Sequence, residues 1–199
     1  MGNLYKKEFV SGVMYISLAK YAGLAISMVI SFVMARLLEP QDFGIIGIAT
    51  VIITFINLLT DFGLGPAIIQ SDKIDSRDIN SIFSFTLVTG IVASGLFFLS
   101  ANMIGDYYNN QQLVKIIRIL PLNILFASLN IVPNSLLLKE KKFKIIAYRT
   151  VLINLVTGVF AIIAAYYGYG VYALVLQSVL SAFGIFIINY NYSKRTCKS

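Results

Sequence analysis

Very few residues in this chain could perform covalent or metal chemistry. There is no histidine, and Cys197 is the one cysteine among 199 residues. His-based triads and zinc sites therefore have no material. One thiol closes no internal disulfide and matches no metal-ligand spacing. The sequence predicts no catalytic residue, no cofactor and no metal. What remains is binding chemistry carried inside apolar runs. Lys20 is a lone cation in the first of these runs, and Arg118 with Lys115 precedes a later one. Asn123, Asn130 and Asn134 recur on one helical face, as do Thr150, Asn154 and Thr157. An ammonium in such a setting attracts an anion, while amides and hydroxyls can bond sugar hydroxyls in a wet cavity. The alternatives are plain: Lys20 snorkels to headgroups, and the amides bond helix to helix. For Arg118 and Lys115 the choice lies between an anionic release site and a solvated interfacial pair.

The elements that position these groups are membrane helices. The chain is 58% hydrophobic and only 13% charged, far from the balance of a soluble domain. A spanning helix needs ~20 mostly apolar residues to cross ~30 Å of hydrocarbon. Six stretches meet this: Val10–Ala35, Phe43–Asp61, Ile82–Ile104, Ile119–Leu138, Ile145–Tyr166 and Val171–Tyr190. Alternating segments of ~10 residues, the mark of a membrane barrel, are not seen. The expected fold is all-α, a polytopic six-helix bundle forming a single unit over residues 1–199. Tyr5 to Gly12 is expected to lie along the membrane surface before the first span, which is read as uncleaved. The stripe Ala19, Gly23, Ser27, Ser31, Ala35 predicts a close helix approach, so that Ser27→Leu would disturb folding. Lys20 shares a face with Ser27 and Ser31 and is expected to point into the bundle.

Basic residues orient the bundle, because cytoplasmic loops keep positive charge. With six spans, one side holds Lys6, Lys7, Lys73, Arg77, Lys139, Lys141, Lys142, Lys144, Arg149, Lys194, Arg195 and Lys198. The other side holds Arg36, Lys115 and Arg118. Both termini and the basic loop 139–144 are therefore expected in the cytoplasm. The net charge of +7 is accounted for by these span-flanking residues, which can touch anionic lipid. No nucleic-acid partner is expected.

The connections carry the most specific pattern. Ala35-Arg36-Leu37-Leu38-Glu39-Pro40-Gln41-Asp42-Phe43-Gly44 is a tight charged turn between two apolar runs. Pro40 ends the first helix, since the residue before a proline is pushed out of the α region. Asp42 is expected to cap the second. Gly44 and Gly47 leave that helix a closely approachable start, and Arg36 is expected to bond carbonyls at the end of the first. Further on, Asp61-Phe62-Gly63-Leu64-Gly65-Pro66 ends the second span, with Asp61 expected as a turn cap rather than an ion-coupling group. A polar connection through Lys73 follows. Gly105 to Gln112 is expected as an exposed turn. The fourth span contains Pro121 and Pro133, and Gly168 with Gly170 marks the turn between the last two.

Taken together these segments resemble the polysaccharide and O-antigen flippases, the Wzx-like branch of the MATE-like (MOP) exporter superfamily. The A-R-x-L-x-P-x-D-F-G turn is similar to that family's first helix–helix connection. Asp61-Phe62-Gly63-Leu64, Ile131-Val132-Pro133 with Lys142-Phe143, and Tyr169-Gly170-Val171-Tyr172-Ala173 resemble three later ones, in the same order. The resemblance implies one six-helix lobe of a transporter with about twice as many spans. It implies translocation of a polyprenyl-pyrophosphate-linked oligosaccharide across a bacterial inner membrane by alternating access. The pathways implied are those of lipopolysaccharide, O-antigen, capsule or exopolysaccharide. A second lobe or a homodimer would complete the site, because repeat-built transporters bind at the repeat interface. Lys20 would meet the carrier's pyrophosphate, and surrounding membrane lipids are further partners. Two other readings stand beside this one: a non-transporting membrane partner, and a membrane-embedded polymerase or ligase. The longest expected external connection, with one acid and two bases, offers such an enzyme little.

Overall fold

In a computed structural model, the backbone is described for residues 2–61, 63–71 and 75–196. Side chains are described for 14, 15, 17–58, 63–71, 75 and 77–192. The side chains of Lys6, Lys7, Asp61, Phe62, Lys73, Lys194, Arg195, Cys197 and Lys198, and of the surface segment Tyr5 to Gly12, lie outside these. Helices in chain order are α1 (Gly2–Leu37), α2 (Pro40–Asp61), α3 (Leu64–Gln70) and α4 (Ser76–Tyr107), then α5 (Gln111–Ile119), α6 (Pro121–Lys139), α7 (Phe143–Tyr166) and α8 (Val171–Thr196). No strand occurs among the described residues. Among the described residues, six segments are long and apolar enough to cross a membrane, α5 and α6 counting together as one. The chain is an all-α polytopic membrane protein.

The helices alternate in direction, so one end of the bundle gathers α5 and the α1–α2 and α7–α8 turns. The opposite end gathers α3 and the α6–α7 turn. α1 leans chiefly on α7, α7 on α8, α8 on α6 and α6 on α4, while α2 packs on α6, α4 and α8. Apolar packing is concentrated at the α5 end. Ile45 and Ala49 of α2, Phe97 and Ala101 of α4, Leu113 and Ile116 of α5, and Val171 and Val175 of α8 form one buried cluster there. Ile30 and Met34 of α1 form a second with Ala161 and Ala165 of α7 and Ala173 of α8.

Several local expectations are corrected. The surface segment before the first span is not a separate helix, since α1 is continuous from Gly2. The small-residue stripe of α1 is not its packing face. Ser27, Ser31 and Ala35 are exposed, and of the stripe only Gly23 is buried, on a line with Ile30 and Met34. The small surface belongs to α7: a Cβ on Gly158 would sit 2.0 Å from Ile30 Cδ1. Close helix approach needs only one helix to be bare, and here α1 supplies the larger side chains. Gly44 and Gly47 are likewise unapproached, with nothing within 4 Å of a Cβ on either.

The second span breaks at Gly63, whose φ of 72° is open to glycine at little cost. Pro66 does not end a helix there. It stands in the first turn of α3, where the missing N–H has no partner to lose. The expected polar connection is thus partly helical, and Ile68 of α3 is fully buried. Lys139 at the end of α6 donates to the Ser71 carbonyl at 2.7 Å, tying the two ends together. At the other end, the expected turn shortens to Tyr108 to Asn110. Asn110 caps α5 by accepting from the N–H groups of Gln112 and Leu113 at 2.9 and 3.1 Å. Leu113, Ile116, Ile117 and Leu120 then repeat at helical spacing on the buried face, before Pro121 restarts the chain as α6.

Candidate functional site

α1 carries one polar face that nothing in the bundle covers. Lys20, Ser27 and Ser31 lie at i, i+7 and i+11, so 3.6 residues per turn places them together. All three are exposed. Lys20 therefore does not point into the helical core of this lobe, contrary to the expectation. The reason lies in how α1 is held: the contact with α7 runs through Gly23, Ile30 and Met34, a neighbouring line on the same helix. Asn154 of α7 stands beside that line, its amide nitrogen 3.4 Å from where a Cβ on Gly23 would sit. The result is an ammonium and two hydroxyls on an otherwise apolar span, backed by an amide of the next helix.

The amides of α6 are placed differently. Asn123 donates to the Ser178 carbonyl and hydroxyl at 3.0 and 2.8 Å. Asn130 accepts from the Asn189 amide. Both are bonds from α6 to α8. Asn134 accepts from Arg149 Nη2 of α7 at 2.6 Å. Inside a bilayer a polar side chain without a partner is costly, so such bonds favour one register of helices. Of the two readings open for these amides, the geometry describes the helix-to-helix one.

Arg149 is the residue that sequence reasoning placed wrongly. Counted among the span-flanking charges, it lies inside α7 and is 7% exposed. Its Nε and Nη1 are buried without a hydrogen-bond partner among the described residues. The available signal was its position six residues into α7, past an apolar Ile145-Ile146-Ala147 start.

The family-like turns meet at the α5 end. Pro40 is the first residue of α2, where a fixed φ suits the helix start. Asp42, expected as the cap, is then in the first turn, three residues beyond the cap position at Glu39, and its N–H donates to the Glu39 carbonyl at 3.0 Å. Its carboxylate turns toward the α7–α8 connection, with Oδ2 3.5 Å from where a Cβ on Gly170 would sit. That places it by the start of α8, where the positive end of the helix dipole favours an anion. Phe43 packs against the cluster formed by Leu38, Ala165 and Ala173. Arg36 does not cap α1 by bonding carbonyls; its guanidinium lies 4.7 Å from the Phe32 ring centroid. Arg118 donates to Asn102 Oδ1 of α4 at 3.0 Å, and Lys115 is exposed beside it.

Comparison with known proteins agrees with this architecture. The chain is 29% identical over 117 residues to the lipopolysaccharide biosynthesis protein WzxC of Escherichia coli K12, covering 59% of this chain and 24% of the relative. It is 25% identical to the teichuronic acid biosynthesis protein TuaB of Bacillus subtilis 168, over 63% of this chain and 26% of that one. With the succinoglycan biosynthesis transport protein ExoT of Rhizobium meliloti 1021 the identity is 23%, over 83% and 33%. The chain thus spans about a quarter to a third of the length of these curated relatives. No solved structure gives a significant match. A family model described as polysaccharide biosynthesis protein matches residues 33–198, which take in the α1–α2 turn and every later helix. On that match the chain belongs to the polysaccharide biosynthesis protein family, as a Wzx-like member.

Proposed function

We propose that this chain is one lobe of a flippase that carries a polyprenyl-pyrophosphate-linked oligosaccharide across the bacterial inner membrane. The observation that carries the reading is the uncovered face of α1, a cation and two hydroxyls left open on a spanning helix of a chain in this family. Ionisable groups within a span are costly, and they mark paths for substrates or ions. A second six-helix unit closes the cavity over that face. Lys20 then attracts the pyrophosphate and the hydroxyls meet sugar, with α1 and the bare start of α2 moving against the partner lobe as access alternates. The basic α6–α7 turn and both termini face the cytoplasm, in line with the loop charge bias. The chain performs no covalent chemistry on the glycan.

The test is direct. Membrane vesicles carrying this chain, alone or with a second lobe, are loaded with fluorescent polyprenyl-pyrophosphate oligosaccharide on one leaflet. Time-dependent access of the sugar to an impermeant quencher on the opposite leaflet supports transport. Absence of movement in both preparations, with the protein present and folded, leaves the non-transporting partner as the function.

A further inference from the structure

α1 and α7 part on the side away from Lys20 and enclose a groove of about 480 Å³. Its walls are apolar, with Leu18 and Ala22 of α1 facing Val151 and Leu155 of α7. Tyr15 and Tyr148 flank one end, and Lys144 closes it. The Lys144 ammonium rests over the Tyr15 ring, 5.0 Å from its centroid. Lys144 is exposed, and the nearest acid in sequence, Glu140, is paired with Lys142 at 2.6 Å. From Lys144 to Leu155 is eleven residues, about 16 Å of helix, or roughly half of a ~30 Å hydrocarbon core. The groove is therefore one leaflet deep, apolar along its length, and cationic and aromatic at its headgroup end.

We propose that this groove is a binding site for an anionic glycerophospholipid, with an acyl chain along Leu18, Ala22, Val151 and Leu155 and the phosphate against Lys144. Charge complementarity selects the occupant. A compact ammonium matches a phosphate as a point charge, and the two tyrosines sit at the level where amphipathic rings prefer to lie. A zwitterionic lipid brings its own cation beside Lys144 and loses that attraction. At 100° per residue, Ala22 lies on roughly the opposite side of α1 from Lys20, so the site is separate from the transport face and survives the failure of that proposal.

The experiment uses the full chain purified in detergent and titrated with dioleoylphosphatidylglycerol or dioleoylphosphatidylcholine, with retained lipid counted by native mass spectrometry. About tenfold tighter retention of the phosphatidylglycerol is expected. Lys144→Gln, an exposed change, should remove most of that preference. Ala22→Phe should lower retention of both lipids by filling the groove, and Lys115→Gln at the other end should change neither. Circular dichroism and elution volume report folding, and Lys144→Gln decides the matter should Ala22→Phe misfold. Equal retention of the two lipids overturns the proposal, as does a preference untouched by Lys144→Gln. So does displacement of phosphatidylglycerol by an equimolar polyprenyl phosphate, which would make the groove a substrate-chain site.

Discussion

At the scale of single residues, the Arg149–Asn134 pair is the sharpest feature. A buried charge needs partners, and a hydrogen bond to a charged group contributes about 1.5–3 kcal/mol. Replacing the charge itself by an apolar side chain of similar size is far milder. Asn134→Leu should therefore lower the thermal midpoint of the purified protein clearly, whereas Arg149→Met should leave it within a degree or two. Calorimetry or a thiol-free thermal shift in detergent measures both. The ranking fails if Arg149→Met is the more damaging change. This is also where the sequence was least legible. An arginine shortly after four lysines reads as a span-flanking charge, and only the tertiary position of the Asn134 carbonyl shows that it is buried. The amides of α6 were legible as a face, but periodicity does not say whether a face meets a cavity or another helix.

At the scale of elements, packing of α1 depends on which helix supplies the small surface. Gly158→Leu should drive a side chain into Ile30, and overpacking of this kind costs about 1–3 kcal/mol or more. Adding Ile30→Ala should restore part of the loss, a coupling that a double-mutant cycle isolates. Ser27→Leu, on the exposed face, should leave the midpoint unchanged. A Ser27→Leu loss equal to that of Gly158→Leu, or no coupling with Ile30, would contradict the assigned interface. The long spans were readable because ~20 apolar residues admit few other structures. The short helices were not. Lys115 and Arg118 made α5 look like loop, although Leu113, Ile116, Ile117 and Leu120 carry its buried period. α3 was hidden by Gly63 and Pro66, which end one helix and begin another within four residues. In α1 a run of small residues was visible, but α7 carries Gly158, Ala161 and Ala165, and the larger side chains of α1 seat on them.

At the scale of the whole molecule, apolar clusters hold the α5 end together while hydrogen bonds and Lys139 tie the other. Single cysteines at Asn109 and Lys142, with Cys197 replaced, should be labelled by an impermeant maleimide from opposite sides of the membrane, position 142 from the cytoplasm. Labelling of both from one side would contradict the single span, α5 with α6, that separates the two positions. The measurement that bears most directly on the central claim is transport by Lys20 variants in vesicles carrying this chain with its second lobe. Because Lys20 is exposed in this lobe, its removal should leave protein yield and thermal midpoint unchanged. Lys20→Ala should slow movement of the pyrophosphate-linked oligosaccharide tenfold or more, while Lys20→Arg should keep most of the rate, since a point charge is what the contact requires. Normal transport by Lys20→Ala at equal protein amount would show that Lys20 only snorkels and that the open face of α1 does not receive the headgroup.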